Sequence, residues 1–283
     1  MINFAPAFYV PLPNRGEKLE DYRQKMKRNI FSEMEGTNEN DSSFSLIADF
    51  DGNEEQIFEE QFDTDLPILP MRNMVLFPGV VLPVSVGRKS SLKLVKQAFK
   101  NQQKIAAFTQ MQPDTEQPDQ SDLYPIGTAA KVVRILEMPD STTTIILQGM
   151  SRIRLVEITS HSPYLKGRVE KLDETFPAPN NNEYEAVVDS CKDLAIDYLK
   201  NSDYPVQSVF AIKNINNKMF LINFIATNLI STIPDKINLL KEGDLMKRAY
   251  EMLSILNREV QLADLKATIQ MRTREDIDQQ QRE

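Results

Sequence analysis

One histidine, one cysteine and no Gly-Lys pair leave this 283-residue chain few routes to chemistry. His161 stands in a Ser-His-Ser-Pro turn between two β-rich runs, with no neighbour that marks an activated nucleophile, and it reads as a surface loop residue. A zinc-protease helix needs two histidines four apart, so that chemistry is excluded. None of the nine glycines is followed by lysine, which removes the phosphate-cradling P-loop. Glu54 and Glu55 form a carboxylate pair in a polar stretch with no apolar pocket to raise a pKa for acid catalysis. Cys191 falls on the apolar face of a helical pattern and reads as core packing; a single cysteine also excludes an intrachain disulfide and suits a reducing compartment. No Gly-x-Ser-x-Gly turn occurs. The residues favour a binding module over an enzyme, with no catalytic, metal or cofactor-binding residue to name.

Charge is the second source of chemistry. Lys89, Lys93, Lys96 and Lys100 fall at +4, +3 and +4, one stripe of a helix that either binds a polyanion or is simply solvated. The net charge of −8 is segregated along the chain. Residues 1–65 carry net −9 and the remainder net +1. Positions 29–65 hold twelve carboxylates and no Lys or Arg, whereas positions 66–113 hold seven Lys/Arg and no carboxylate. Such a run reads as a solvated extension. A sharper reading folds it back over the basic face.

The elements that must position these residues begin at Leu66. Leu66–Arg88 reads as buried strand interrupted by Pro67, Pro70, Pro78 and Pro83, so short strands joined by bends are expected, with Phe77-Pro78-Gly79 as a tight turn. A helix follows, capped by Ser90 or Ser91, with Leu92, Val95 and Phe99 as its apolar face. Lys104–Thr109, Ile126–Met138, Thr142–Gly149, Ile153–Ile158 and Tyr164–Leu172 read as strands, with Pro139-Asp140-Ser141 as a hairpin turn. Five to seven short strands predict a small closed barrel or two packed sheets.

After Asn180 the period changes to 3.6. Tyr184, Val187, Val188, Cys191, Leu194, Ala195 and Tyr198 mark one helical face. Helices are predicted over Val206–Ile215 and Lys218–Ile230, and from Pro234. From Asp244 no Gly or Pro occurs, predicting one helix of about 60 Å. Ala249, Leu253, Leu256, Val260, Ala263 and Ala267 form its packing seam. The last residues lose that apolar face and end without a cap, as a cut made inside a helix would.

Three parts follow: an acidic, largely unfolded extension over 1–65, a β domain over 66–175, and a helical domain over 180–283 ending in the long helix. Phe44–Ile47 in the extension reads as a docking motif. The fold class is α+β. No apolar stretch reaches the roughly 20 residues of a membrane helix and no signal peptide is recognisable, so a cytoplasmic chain with no membrane partner is expected.

The ordered motifs LPILPMRNMVLFPG, Val86-Gly87-Arg88, Ile126-Gly127-Thr128, MPDSTTTIILQG, Gly149-x-x-Arg152 and the terminal Gln-Arg-Glu closely resemble the N-terminal region of the Lon family of ATP-dependent serine proteases. The resemblance runs from residue 66 to residue 283. It implies a PUA-like barrel, a helical bundle and a helix leading to ATPase and Ser-Lys protease modules that this sequence does not contain. ATP and magnesium are accordingly expected only in those modules. The implied function is non-catalytic recognition of unfolded, damaged or tagged proteins, together with support for a hexamer of such subunits. Met71, Met74, Met111, Met138 and Met150 offer adaptable apolar surface. Met71, Met74, Phe77, Val80 and Val81 are the candidate substrate contacts. A free-standing partner- or ligand-binding domain is the alternative, and polyanion binding through Lys89, Lys93, Lys96 and Lys100, with DNA as a weak partner, is the third.

Overall fold

Strands β1 (Asp65–Met71), β2 (Val81–Val86), β3 (Ile105–Thr109), β4 (Ile126–Glu137), β5 (Thr143–Ser160) and β6 (Lys166–Lys171) form one sheet in the order β2-β5-β4-β3-β1-β6. The computed structural model describes residues 63–137, 143–200, 206–229 and 232–280. The acidic extension up to residue 62, Met138 and the Pro139–Ser141 turn lie outside them. A further pairing of β5 with β6 closes five of the strands into a barrel and leaves β2 on its flank. The closed alternative of the sequence reading is the one observed.

Pro67 and Pro70 sit inside β1, where short strands with breaks are predicted. The uninterrupted strand is possible because β1 changes partner along its length. Asp65–Pro67 pair with β6, and Ile68–Met71 pair in parallel with β3. The Ile68 amide donates to the Leu165 carbonyl on the β6 side. Alternation then aims Pro67 toward β3 before that pairing begins and Pro70 toward β6 after that pairing has ended. Neither missing N–H breaks a ladder. Pro83 pairs through β2 with β5 alone, at the sheet edge.

β1 and β3 are buried on both faces. Leu66, Ile68, Ala106 and Phe108 belong to one core; Leu69, Met71, Ile105 and Ala107 belong to a second. Helix α1 (Lys89–Lys100) contributes Leu94, Val95 and Ala98 to the second core. The predicted apolar face is corrected by one position: Leu92 is half-buried and Phe99 is 45% exposed. The predicted serine cap is also absent. The helix begins at Lys89 after Arg88 with no side-chain cap, because Ser90 and Ser91 are already inside it.

β5 runs unbroken through the predicted gap at Met150–Arg152. Its first half pairs with β2 and its second with β6, and two bulges accommodate the bend. Passage requires Gly149, where a Cβ would lie 2.2 Å from the Phe77 carbonyl oxygen. The Phe77-Pro78-Gly79 turn is as expected: Gly79 has φ 81° and the Val80 amide donates to Phe77 at 3.2 Å.

Five helices follow: α2 (Asn182–Lys200), α3 (Val206–Asn214), α4 (Lys218–Leu229), α5 (Ile233–Lys241) and α6 (Leu245–Gln280). The predicted α2 face is buried, with Ile196 and Leu199 added and Leu194 and Tyr198 half-buried. Helix α4 is buried nearly all round and forms the centre of the bundle. On α6 the buried stripe is Leu245, Arg248, Ala249, Met252, Ile255 and Leu256, while Leu253 and Val260 are half-buried. Beyond Val260 the residues Leu262, Leu265 and Ile269 are exposed, so the helix leaves its neighbours earlier than the predicted point past Met271.

Candidate functional site

The barrel and the bundle share a core. Val75, Phe77, Val80 and Ile126 join the same continuous apolar cluster as Val188 of α2, Phe224 of α4 and Leu256 of α6. The buried Asn223 side chain of α4 donates to the Pro78 carbonyl at 2.9 Å. The proline-rich turn is thus the joint between the two parts. This corrects the candidate substrate contacts. Phe77 and Val80 are fully buried in the joint, Met71 is buried under α1, and Val81 is buried in β2. Met74 alone keeps partial exposure, its carbonyl accepting from the Thr109 hydroxyl at 2.7 Å. Of the other methionines, Met150 is buried and Met111 is exposed.

A buried ion network locks the joint. Arg152 of β5 donates through Nε to Glu174 Oε1 at 2.7 Å, and Arg248 of α6 donates through Nη2 to Glu174 Oε2 at 2.7 Å. All three side chains are at most 4% exposed. Arg152 also donates to the carbonyls of Leu240, Lys241 and Asp173, and Arg248 to that of Glu242 and to Asn223 Oδ1. Burial pulls the Arg248 guanidinium below its ordinary pKa while the Glu174 charge opposes the shift. Thr175 is hydrogen-bonded to both Gly243 and Leu245, so the segment between barrel and bundle is stapled to the start of α6.

Beside this network a cleft of about 570 Å³ opens between barrel and bundle. Tyr124, Pro125, Ile126 and Leu172 form its barrel wall, and Ile237, Asn238 and Lys241 of α5 face them. Arg154 and Asp173 complete the rim. Arg154 pairs with the exposed Glu170 at 3.4 Å, a contact weak enough to exchange with a ligand. The volume and apolar walls fit a few side chains of an extended polypeptide.

Sequence reasoning placed Arg152 in a motif but missed Glu174 and Arg248. Arg248 had a signal. It interrupts an apolar stripe at helical spacing between Leu245 and Met252, where a solvated arginine does not belong.

The remaining candidates do not converge on this cleft. His161 is exposed and lies 3.2 Å from Asp119 Oδ1. The Gln120 amide, then the His161 ring, hold the Asp119 carboxyl below its usual range. Cys191 is buried in the bundle, its thiol 3.6 Å from the Ala249 carbonyl, and burial pushes its pKa up to about 12, so it is inert as a nucleophile. Lys89, Lys93, Lys96 and Lys100 are all exposed on α1, and Lys96 pairs with Glu137 at 2.8 Å. Among the described residues no cluster of His, Cys, Asp or Glu could hold a metal ion, and no helix is long and apolar enough to cross a membrane.

A family model described as the ATP-dependent protease La (LON) substrate-binding domain matches residues 65–258. A Lon protease of Parabacteroides distasonis is 47% identical over 225 residues, covering 79% of this chain and 27% of that protein. A Lon protease of Flavobacterium johnsoniae is 42% identical over 231 residues, covering 81% and 28%. The chain therefore spans little more than a quarter of the length of these relatives. The solved N-terminal domain of a Mycobacterium avium complex Lon protease shares the fold, with TM-score 0.55 and 16% identity over 68% of this chain and 98% of that one. By the match over residues 65–258 and the identity of these relatives, the chain belongs to the Lon protease family, in its N-terminal substrate-binding domain.

Proposed function

We propose that this chain is the non-catalytic N-terminal part of a cytoplasmic Lon-type ATP-dependent serine protease, and that it captures unfolded or damaged proteins in the cleft between barrel and bundle. The cleft carries the reading. Its apolar walls meet on two elements held together by the Arg152–Glu174–Arg248 network, so the site is preformed and binding costs little ordering of the protein. An unfolded segment would seat apolar side chains against Tyr124, Pro125 and Leu172, which keep exposed surface at the cleft, while Arg154 and Lys241 meet its acidic groups or terminal carboxylate. ATP, magnesium and the peptidase serine belong, in this reading, to modules outside the chain. The exposed Leu262, Leu265 and Ile269 stripe of α6 offers apolar surface for contact with other subunits of a hexamer.

Binding of the full chain to a destabilised protein and to its folded counterpart tests the proposal. Selective binding of the unfolded form is expected. Asn238→Trp, which fills the cleft from an exposed helical position, should weaken it at least tenfold. Equal binding of both forms, no binding, or full binding by the Trp variant would sink the reading.

A further inference from the structure

The segment that leaves the barrel lines two recesses in succession. Leu172 and Asp173 stand in the wall of the cleft, and Phe176 stands in a second pocket of about 350 Å³. The facing segment does the same, with Gly243 in the cleft and Leu245 in the second pocket. Between them the Thr175 amide donates to the Gly243 carbonyl at 2.8 Å, and the Leu245 amide donates to the Thr175 carbonyl at 3.1 Å. The two recesses therefore flank one staple. Four residues of chain reach at most about 14 Å, so Leu172 and Phe176 lie no further apart than that.

The second pocket has its own chemistry. Phe176 is 49% exposed and leaves a large ring open beside half-buried Pro177. Asn180 and Asn216 also line the pocket, both are exposed, and their side chains have no hydrogen-bond partner among the described residues. A carboxamide offers a donor and an acceptor, the complement of a peptide group. The charges in the wall cancel, because Lys218 of α4 donates to Glu185 of α2 at 2.5 Å, a bond that also ties these two helix starts together. Such a pocket suits one apolar side chain on an uncharged stretch of main chain. The geometry points to a second subsite for one extended polypeptide, which seats an apolar side chain in the cleft and another, about four residues along, against Phe176, with Asn180 and Asn216 bonded to its main chain. This rests on the reading of the cleft as a polypeptide site. It narrows the ligand to unfolded segments with two apolar anchors about four residues apart and no charge around the second.

Fluorescence anisotropy with the full chain tests it, using two labelled peptides of identical Leu, Gly and Ser content and blocked ends. One carries its two leucines four residues apart and the other carries them adjacent. Linking two weak contacts raises affinity through effective concentration, so the spaced peptide should bind at least tenfold more tightly. Phe176→Ser, a change at an exposed position, should bring the spaced peptide down to the level of the adjacent one and leave the adjacent one unchanged. Asn216→Ala should weaken the spaced peptide about fivefold, the effect of one lost hydrogen bond. Asn238→Trp, in the cleft, should weaken both peptides. Equal affinity of the two peptides, or a spacing effect that survives Phe176→Ser, would overturn the second subsite while the response to Asn238→Trp keeps the cleft. Failure of both peptides to bind, or binding untouched by Asn238→Trp, would remove the cleft reading and the subsite with it.

Discussion

Arg248→Met is expected to cost about 3–5 kcal/mol, the loss that follows when one member of a buried pair is removed and its partner stays charged. Methionine keeps much of the side-chain volume, so little of the loss is a cavity. What disappears is the 2.7 Å bond to Glu174, the bond to the Glu242 carbonyl and the contact with Asn223. Glu174 is then left to Arg152 alone. At about 2–4 °C per kcal/mol for a folded region of this size, the melting temperature should fall by about 10 °C. Because the group is buried, the loss should be nearly the same at 0.1 M and 1 M salt. Urea unfolding of the parent should follow one transition and that of the variant should split into two, since barrel and bundle are joined through these side chains.

A triple change of Arg152, Glu174 and Arg248 to apolar residues of similar size separates two explanations. A buried triad that serves only as ion pairs is often replaced at no cost. Here the two arginines also satisfy four main-chain carbonyls, of Leu240, Lys241, Asp173 and Glu242. Stranding those acceptors costs about 1–3 kcal/mol each when water does not reach them. The triple variant should therefore be no more stable than Arg248→Met. Recovery of parental stability, or a single-variant loss below about 1 kcal/mol, would refute the claim that this network holds the joint.

Other expectations concern the same joint and the bundle. Asn223→Leu removes the donor to the Pro78 carbonyl and should cost about 1–3 kcal/mol by urea titration; a neutral result would mean that the turn does not depend on α4. Gly149→Ala drives a Cβ onto the Phe77 carbonyl, and because backbone meets backbone a loss of about 3 kcal/mol or failure to fold is expected, read by circular dichroism. Burial holds the Lys236 ammonium down to about 8, below its unfolded value. The unfolded chain thus binds the extra proton between pH 8 and about 10.5, so this group's contribution to stability rises with pH across that window. Lys236→Met should accordingly be most favourable relative to the parent below pH 8, and the difference should shrink by pH 10; a pH-independent difference would contradict the burial argument. Cys191, with its thiol pushed up to about 12, should resist aromatic disulfide reagents at pH 8 until denaturant is added, and rapid labelling of the native chain would place it elsewhere.

What the sequence made legible divides along a physical line. Local rules identified the Phe77-Pro78-Gly79 turn, the Cys191 face and the start of α5, because each depends on neighbours within a few residues. The prolines of β1 misled, since their tolerance depends on where β3 begins and β6 ends, which is set by partners about 40 and 100 residues away. The same separation explains why the apolar turn reads in the sequence as a ligand surface. A buried interface between two parts of one chain has the composition of a binding site, and only the partner distinguishes them. Phe77 and Val80 already have their partner, in the bundle. Binding must therefore be sought where apolar side chains keep open surface, as Tyr124, Pro125 and Leu172 do in the cleft whose two walls that joint fixes in place.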